Sequence, residues 1–296
     1  CDLKVGAETF PGINTWRANW IVWQRHGFER PAWDNAVQFK RTILDRNHFP
    51  KDSGFTATFR FSIDTPQPPA AIDLAVETPE LYRISVNGKP ADFSKAARYN
   101  DPRLLRASIA SLVKTGENVV QLEASPFDVH MELENIFILC PLAVEPAAKG
   151  FRLTSPKSPA LGSWAANGWP FYSESATYTA SVAVPAPATR LKLDLTRWNG
   201  SLAIVTLDGK QTLKLGWPPY TAEFTVAPGQ HEVAVQVVGT PRNLFGPFHH
   251  PAKLRMRAWP AAWAEFPESQ PPGASYDILD YGLLQPPAIS IGGVTQ

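Results

Sequence analysis

The chain has 296 residues, a formal net charge of +1 and a charged fraction of 19%, which is low for a soluble protein. Its length fits two ordinary domains. The near-zero charge gives no electrostatic reason to expect nucleic acid or an anionic membrane as a partner, and no apolar run approaches the roughly 20 residues that a transmembrane helix needs.

The first 50 residues are rich in aromatic side chains between positions 10 and 28 and show little regular period. They are interpreted as an arm strapped onto the first domain or as the cut end of a preceding domain. No signal peptide is recognised, so the chain is interpreted as a mature product or a fragment. Cys1 matches the lipid-bearing first residue of a mature bacterial lipoprotein; the alternative is a cut that happens to fall at a cysteine. Cys1 and Cys140 can pair, but they form neither a disulfide framework nor a set of metal ligands.

The rest of the chain contains four elements that recur in the same order. The clearest is a strand-like run that ends in a turn, RISVNGKP at 83–90 and IVTLDGKQ at 204–211. Asn-Gly and Asp-Gly tolerate the positive φ of tight hairpin turns. The recurrence predicts two copies of one unit. The other recurring elements are alternating runs at 55–63 and 176–184, short strands at 70–77 and 190–196, and closing strands that follow a Gly turn at 114–124 and 228–239.

Each copy consists of short strands separated by Gly, Pro, Asn and Asp turns. This predicts an all-β chain of two tandem antiparallel β-sandwiches of the jelly-roll kind. The strand pattern stops in VEPAAKGF, so residues 1–148 are assigned to the arm and the first sandwich. Residues 149–296 are assigned to the second sandwich and a Pro-rich C-terminal tail that folds back on it. The best helical candidate is LLRASIASLV at 104–113, with one or two turns expected.

These residues resemble a known arrangement. The first copy, with SGFTATFRFSID, RISVNGKPAD and TGENVVQLEA, looks like the sugar-binding domain of family 2 glycoside hydrolases and its galactose-binding-like relatives. The runs ELENIFIL, WPFYSESATY and NLFGPFHH resemble the C-terminal region of large bacterial glycosidases of the α-L-rhamnosidase type. In that family a catalytic (β/α)8 barrel carries the active site, and this chain shows no alternating strand–helix pattern that could build one. The resemblance therefore implies a non-catalytic accessory region.

Two carboxylates in MELEN are the candidates for catalysis. Glycosidases use a pair of Asp or Glu residues, and Glu132 and Glu134 would share one face of a strand. The alternative is two solvated carboxylates on the polar face of that strand. With Asp128 nearby in the sequence, the pair can equally hold sugar hydroxyls or a structural Ca²⁺ ion. No other cofactor is predicted.

Aromatic side chains are the candidates for sugar binding. Sugar rings have apolar C–H faces and polar rims, so they stack on flat aromatic side chains. The alternative for each candidate is packing at the end of a sandwich. Trp20, Trp23 and Trp33 are assigned to the core or an interface. The candidates lie in Gly- and Pro-rich loops of the second unit and are Trp164, Trp169, Phe171, Tyr172, Trp217 and Tyr220.

Polar residues near these aromatics could bind the rim of a sugar. Arg242 and Asn243 in TPRNLF, and His249 or His250 in FGPFHHP, can donate to hydroxyl groups. The alternatives are loop stiffening beside prolines and satisfaction of the local backbone. Neighbouring histidines on an extended segment point in opposite directions, so no metal site is predicted there.

Three functional hypotheses remain from the sequence. The first is a carbohydrate-binding accessory region of a bacterial glycoside hydrolase, with an oligo- or polysaccharide and a catalytic glycosidase domain as partners. The second is an independent glycoside hydrolase that uses Glu132 and Glu134, and the third is a structural spacer that binds no sugar. The expected location is secreted, periplasmic or at the cell surface. The sequence leaves open the sugar and the oligomeric state.

Overall fold

A computed structural model describes residues 1–29, 39–158, 160–246 and 269–292. The described chain is all-β, as predicted, and its strands form antiparallel β-sandwiches. It divides into two compact units. Of the described residues, the first unit contains 1–156 and 269–275, and the second contains 157–246 and 276–292.

The first unit is a sandwich of an eight-stranded and a four-stranded sheet. The larger sheet has the order β11-β12-β3-β9-β5-β6, with β1 paired to both β2 and β3, and the smaller has the order β10-β4-β8-β7. The strands are β1 (Asp2–Val5), β2 (Glu8–Phe10), β3 (Phe55–Asp64), β4 (Asp73–Glu77), β5 (Arg83–Val86), β6 (Lys89–Pro90), β7 (Ala97–Tyr99), β8 (Asp101–Ser108), β9 (Gly116–Ala124), β10 (Phe137–Leu139), β11 (Ala143–Pro146) and β12 (Phe151–Thr154).

The second unit is a sandwich of a four-stranded sheet, β13-β19-β16-β17, and a three-stranded sheet, β18-β14-β21. Strands β15 and β20 pair with each other as a separate two-stranded ribbon. The strands are β13 (Ser175–Val184), β14 (Arg190–Asp194), β15 (Trp198–Asn199), β16 (Leu202–Leu207), β17 (Gln211–Leu215), β18 (Thr221–Thr225), β19 (Gly229–Val238), β20 (Gly282–Leu283) and β21 (Ala288–Gly292).

The two units share one topology. The order β3-β9-β5-β6 in the first corresponds to β13-β19-β16-β17 in the second, and β10-β4-β8 corresponds to β21-β14-β18. The registers agree as well, because the Gly that begins the closing strand lies opposite Ile63 in one unit and Val184 in the other. The repeated sequence elements therefore reflect a repeated fold.

The recurring Asn-Gly and Asp-Gly turns have the same role in both units. Asn87 and Asp208 both have a φ of +51°, and the glycine after each also has a positive φ, as a tight hairpin turn requires. In each unit the turn residue is bound to the closing strand. The backbone N–H and side-chain oxygen of Asn87 bond to Val119, and those of Asp208 bond to Glu232, at 2.8–3.0 Å. Each unit therefore requires, at this turn position, a short polar side chain whose backbone tolerates a positive φ.

The core of each unit lies between its two sheets. Alternate residues of each strand face inward, which is why the sequence showed a period of two. In the first unit Leu74 and Leu122 are among the fully buried residues, and in the second unit Leu193 and Val205 are.

The N-terminal region is an integral part of the first unit. Helix α1 (Thr15–Arg25) is capped by the Asn14 side chain, which accepts a hydrogen bond from the Trp16 N–H. Its buried face includes Trp16, Asn19 and Trp23, and the Asn19 side chain accepts a hydrogen bond from the Leu133 N–H. Two further helices span a single turn each, α2 (Phe39–Thr42) and α3 (Arg242–Phe245).

The helix predicted over 104–113 is wrong. Its first half belongs to strand β8, which pairs with β4 and buries Leu104 and Ala107. Adjacent Leu104 and Leu105 mask the alternation, because the second of them lies half-buried on the other side of the strand. Pairing with β4 determines the conformation of this segment.

The division between the units differs from the expected boundary at residue 148. Strand β12 (Phe151–Thr154) pairs with β3 and β11 and so belongs to the first unit. Part of the tail also returns to the first unit rather than the second, since Gly150 donates to Pro271 at 2.8 Å and Gly273 donates to Ala147 at 2.9 Å. Sequence composition does not mark these long-range pairings.

The two cysteines are not bonded to each other. Cys1 and Cys140 are both free thiols, partly buried against the core of the first unit. None of the helices within the described ranges is both long enough and apolar enough to cross a membrane.

Candidate functional site

The strand registers bring five loops of the second unit to one end of its sandwich. Ser175 and Leu202 both lie opposite Val238, and Asp194 lies opposite both Thr221 and Ala288. The loops that flank these positions therefore meet at the same end. We call this region the second-unit loop end; it consists of residues 160–174, 195–201, 216–220, 239–246 and 276–287.

Trp164 lies in the core beneath this end. Its side chain is 1% exposed, its Nε1 donates to Tyr178 Oη at 2.8 Å, and the Tyr172 ring packs edge-on with centroids 5.2 Å apart. The prediction that Trp164 offers a stacking face to a sugar is wrong, because the ring has no exposed face. A bulky indole here closes the end of the sandwich, which was the alternative interpretation.

Trp169 and Tyr172 are half-buried and pack against the same core. Their ring centroids are 5.9 Å apart, and Tyr172 Oη donates to the Ser175 carbonyl at 2.9 Å. Burial raises the pKa of the Tyr172 hydroxyl, with the nearby Glu174 carboxylate adding to the effect. These two rings support the loop that carries them and present only part of their surface to solvent.

Arg242 joins α3 to the C-terminal tail. Its guanidinium is 15% exposed and contacts the Asp277 carboxylate, itself 3% exposed, at 2.7 Å, and it also donates to the Asp277 carbonyl. Asn243 donates to the carbonyls of Pro170 and Leu279, both at 2.9 Å. Arg242 is therefore held in a buried ion pair, and the prediction that it contacts the rim of a sugar is not supported. His249 and His250 lie outside the described residues, as does Trp33.

Trp217 is the exposed aromatic of the second-unit loop end. It lies in the turn between β17 and β18 and its side chain is 80% exposed, the highest value among the large hydrophobic residues that the structure describes. The two residues that follow are Pro218 and Pro219, which restrict the backbone of the turn. The ring of Trp217 is thus displayed to solvent from a short, stiff connection.

Beside this turn, Tyr220 and Trp198 form an aromatic pair. Their rings are perpendicular, with centroids 5.0 Å apart, and both are half-exposed. The Tyr220 carbonyl accepts from the Leu195 N–H at 2.9 Å, which ties the Trp217 turn to the loop that carries Trp198. Sequence reasoning missed Trp198; its place in RWNGS, a Gly-containing loop after a strand, was a usable signal.

Carboxylates and amides lie among these aromatics. The Asp194 carboxylate accepts a hydrogen bond from Thr221 Oγ1 at 2.5 Å, and this bond together with Lys192 lowers the pKa of Asp194. Asp280 is exposed; its carboxylate accepts from Ser163 Oγ at 2.5 Å and its carbonyl accepts from Asn199 at 2.7 Å. Fixed acceptors of this kind can bind sugar hydroxyls.

The equivalent end of the first unit carries an acidic cluster of Glu77, Glu132 and Glu134. Strand β4 ends at Glu77 as β14 ends at Asp194, and the segment that contains Glu132 and Glu134 lies near this position. Tyr82 Oη donates to the Glu132 carbonyl at 3.2 Å. Sequence reasoning missed Glu77 and Tyr82, because nothing in the sequence brings β4 next to residues 131–135.

The carboxylates of this acidic cluster affect one another. Burial, reinforced by Glu132 and Glu77, raises the pKa of Glu134 to about 7. Burial also raises the pKa of Glu77, with Glu132 and Asp101 adding to the shift. Near neutral pH, Glu134 is therefore partly protonated.

The local conformation of MELEN differs from the prediction. Residues 131–136 are not in a strand, although Met131 and Leu133 are buried and Glu132 is exposed. Asp128 accepts instead from Asn47 and His130. Across the described ranges, no group of three or more His, Cys, Asp or Glu side chains is arranged to hold a metal ion.

No protein-family profile and no curated protein sequence matches the chain. The chain does match solved structures of glycoside hydrolases. They include the rhamnosidase from Novosphingobium sp. PP1Y (17% identity, TM-score 0.31, 81% of this chain and 23% of that one) and the Streptomyces avermitilis α-L-rhamnosidase (16%, 0.25, 62% and 22%). The Amycolatopsis orientalis exo-chitosanase CsxA matches at 14% identity and a TM-score of 0.27, over 82% of this chain and 26% of that one. The chain spans about a quarter of the length of these structures.

Proposed function

We propose that the chain is a carbohydrate-binding accessory region of a glycoside hydrolase and that it binds glycans through the second-unit loop end. The observation that carries the proposal is the exposure of Trp217. An 80% exposed indole on a stiff two-proline turn gains little packing energy from the fold, and its flat face is available for a sugar ring to stack on.

The chemistry of this surface suits a sugar. The indole face of Trp217 matches the apolar C–H face of a pyranose ring, and the Trp198–Tyr220 pair supplies a second aromatic surface beside it. Asp194 and Asp280 offer acceptors for hydroxyl groups. The ligand is an oligo- or polysaccharide, and a shallow site of this kind binds with a Kd on the order of micromolar to millimolar.

The construction of the site also favours binding. Its residues lie on loops at the end of a rigid sandwich, and binding residues are concentrated on such loops. The acceptors are already fixed by hydrogen bonds from neighbouring side chains, which lowers the entropy lost when a ligand binds. In a longer protein the chain would bring its catalytic partner to a polysaccharide, at a secreted, periplasmic or cell-surface location where such polymers occur.

A glycan array tests the proposal. The purified chain is applied together with Trp217→Ala and with the control Leu213→Ala, which shortens another exposed apolar side chain in the adjacent strand β17. We expect the wild type and Leu213→Ala to bind the same glycans and Trp217→Ala to lose them. A folded wild-type chain that binds no glycan would support the spacer hypothesis instead.

A second candidate function is glycoside hydrolysis by the acidic cluster. The observation in its favour is that burial raises the pKa of Glu134 to about 7 beside the exposed Glu132, since glycosidases use a pair of carboxyl groups in which one with a raised pKa acts as the acid. Assays of the purified chain on aryl glycosides and polysaccharides test this function directly. Turnover that is abolished by Glu134→Gln and by Glu132→Gln would replace the accessory role with a catalytic one.

A further inference from the structure

One edge of the second sandwich lacks a cover that the first sandwich has. Strand β3 of the first unit pairs with β9 on one side and with β1 and β12 on the other. Its counterpart β13 pairs with β19 on one side, and among the described residues no strand pairs with its other side. The same fold therefore has one covered edge and one open edge at equivalent positions.

The open edge lacks the features that normally prevent pairing. Edge strands are usually protected by charged residues, proline or bulges. Residues 175–181 of β13 read SATYTAS and contain no charged residue, no proline and no glycine. By contrast, the opposite edge strand of this sheet, β17, carries Lys214, and β18 in the facing sheet carries Glu223.

Apolar side chains are exposed along the same flank. Because β17 leads directly into β18, those two strands share one flank, and β13 and β21 lie at the other. On β21, Ile289 and Ile291 lie opposite Leu193 and Leu191 of the core but remain 44% and 38% exposed. Ala180 of β13 is exposed as well, although Tyr178 and Val182, on the same side of the strand, belong to the core.

We propose that this flank pairs with the same flank of a second copy of the chain, β13 against β13 in antiparallel orientation. The argument for a second copy is the sequence of the strand. Residues 176–180 read ATYTA, which is the same in both directions, so a two-fold axis at Tyr178 sets Thr177 opposite the partner's Thr179 and Ala176 opposite the partner's Ala180.

Such a pairing is chemically consistent. Threonine opposite threonine is a favourable cross-strand pair, and no like charges meet along the seven paired residues. An interface that uses the same surface on both copies closes as a dimer and leaves no further open edge of this kind. The four-stranded sheet becomes a continuous eight-stranded sheet, and the exposed Ile289 and Ile291 lie at the junction.

Sedimentation velocity on the full chain tests the dimer, from about 1 to 100 µM. We expect the wild type to dimerise and Ala180→Glu to weaken the dimer at least tenfold, because the charge would face the partner's Ala176. Leu213→Glu places the same charge on the other edge of the sheet and should leave the dimer unchanged. Thermal melts confirm that both variants are folded. A wild type that stays monomeric at 100 µM, or a dimer that Ala180→Glu leaves intact, overturns the proposal.

Cysteine cross-linking tests the register. In a chain with Cys1→Ser and Cys140→Ser, the pair Thr177→Cys and Thr179→Cys sets cysteines opposite each other across the two-fold axis, at a Cα separation of about 4.5–5.5 Å that a disulfide can span. We expect a covalent dimer under mild oxidation. The control pair Thr177→Cys and Ser181→Cys has no opposing cysteines and should remain monomeric on a denaturing gel. Equal cross-linking of both pairs would contradict this register.

Discussion

Replacing Trp164 by alanine tests the conclusion that this tryptophan belongs to the core and not to a binding surface. The side chain is 1% exposed, and removing a buried tryptophan of this size costs about 3–5 kcal/mol. The substitution also removes the Nε1 donor of Tyr178 Oη, which adds about 1 kcal/mol. The sum, about 4–6 kcal/mol, is a large share of the roughly 5–15 kcal/mol that stabilises a typical domain.

Urea unfolding, followed by circular dichroism, measures this loss. Trp164→Phe keeps part of the packing, so its loss of stability should be smaller than that of Trp164→Ala. The matched control is Trp217→Ala, which removes an exposed tryptophan from the same end of the unit and should change the free energy of unfolding by no more than about 0.5 kcal/mol. If Trp164→Ala unfolds at the same urea concentration as Trp217→Ala, the assignment of Trp164 to the core is refuted.

Three further predictions concern pH and close packing. Burial raises the pKa of Glu134 from 4.5 to about 7, so between these pH values the folded state binds more protons than the unfolded state, and the free energy of unfolding should fall on the order of 3 kcal/mol as pH rises from 4.5 to 7. Glu134→Gln should flatten this pH dependence, and an unchanged slope in urea titrations at several pH values would contradict the prediction. The Asp208 carboxylate and the Ala227 carbonyl raise the pKa of His231, so the stability that protonated His231 contributes is complete below the pKa of the unfolded state and is lost as pH rises through the pKa of the folded state. His231→Gln should remove that part of the pH dependence in thermal melts, and a variant whose pH profile matches the wild type would count against the prediction. Gly239→Ala should destabilise the second unit by about 1–3 kcal/mol, since its Cβ would lie 2.8 Å from Trp164 Cζ3, whereas Gly216→Ala has room; equal melting temperatures for the two variants would refute the close contact.

The repeated elements of the fold could be predicted from the sequence because each has a local cause. Alternation along 55–63 and 176–184 reports burial on one side of a strand, and Asn87 and Asp208 report a backbone with positive φ. These signals depend on neighbouring residues, and the structure confirms the strands and turns that they predicted. Helix α1 was missed because its buried side includes the polar residues Thr15 and Asn19, which interrupt the apolar pattern of an amphipathic helix.

The candidate site was less accessible from the sequence. Trp164 and Trp217 have similar Gly- and Pro-rich surroundings in the sequence, yet one is buried and the other is 80% exposed. The difference comes from residues 276–287, which lie far along the chain and pack beside Trp164 through Tyr281. The ion pair of Arg242 with Asp277 and the closeness of Glu77 to Glu134 have the same origin, contacts between distant segments.

The most direct test of glycan binding is calorimetric titration of the strongest array ligand into the wild type, Trp217→Phe and Trp217→Ala. The proposal predicts that Trp217→Ala weakens binding at least tenfold, about 1.4 kcal/mol, and that Trp217→Phe, which keeps a smaller aromatic face, lies between the two. All three proteins should have the same melting temperature, because the ring makes little contact with the fold. A Trp217→Ala protein that binds the glycan as tightly as the wild type would show that the site does not include this tryptophan.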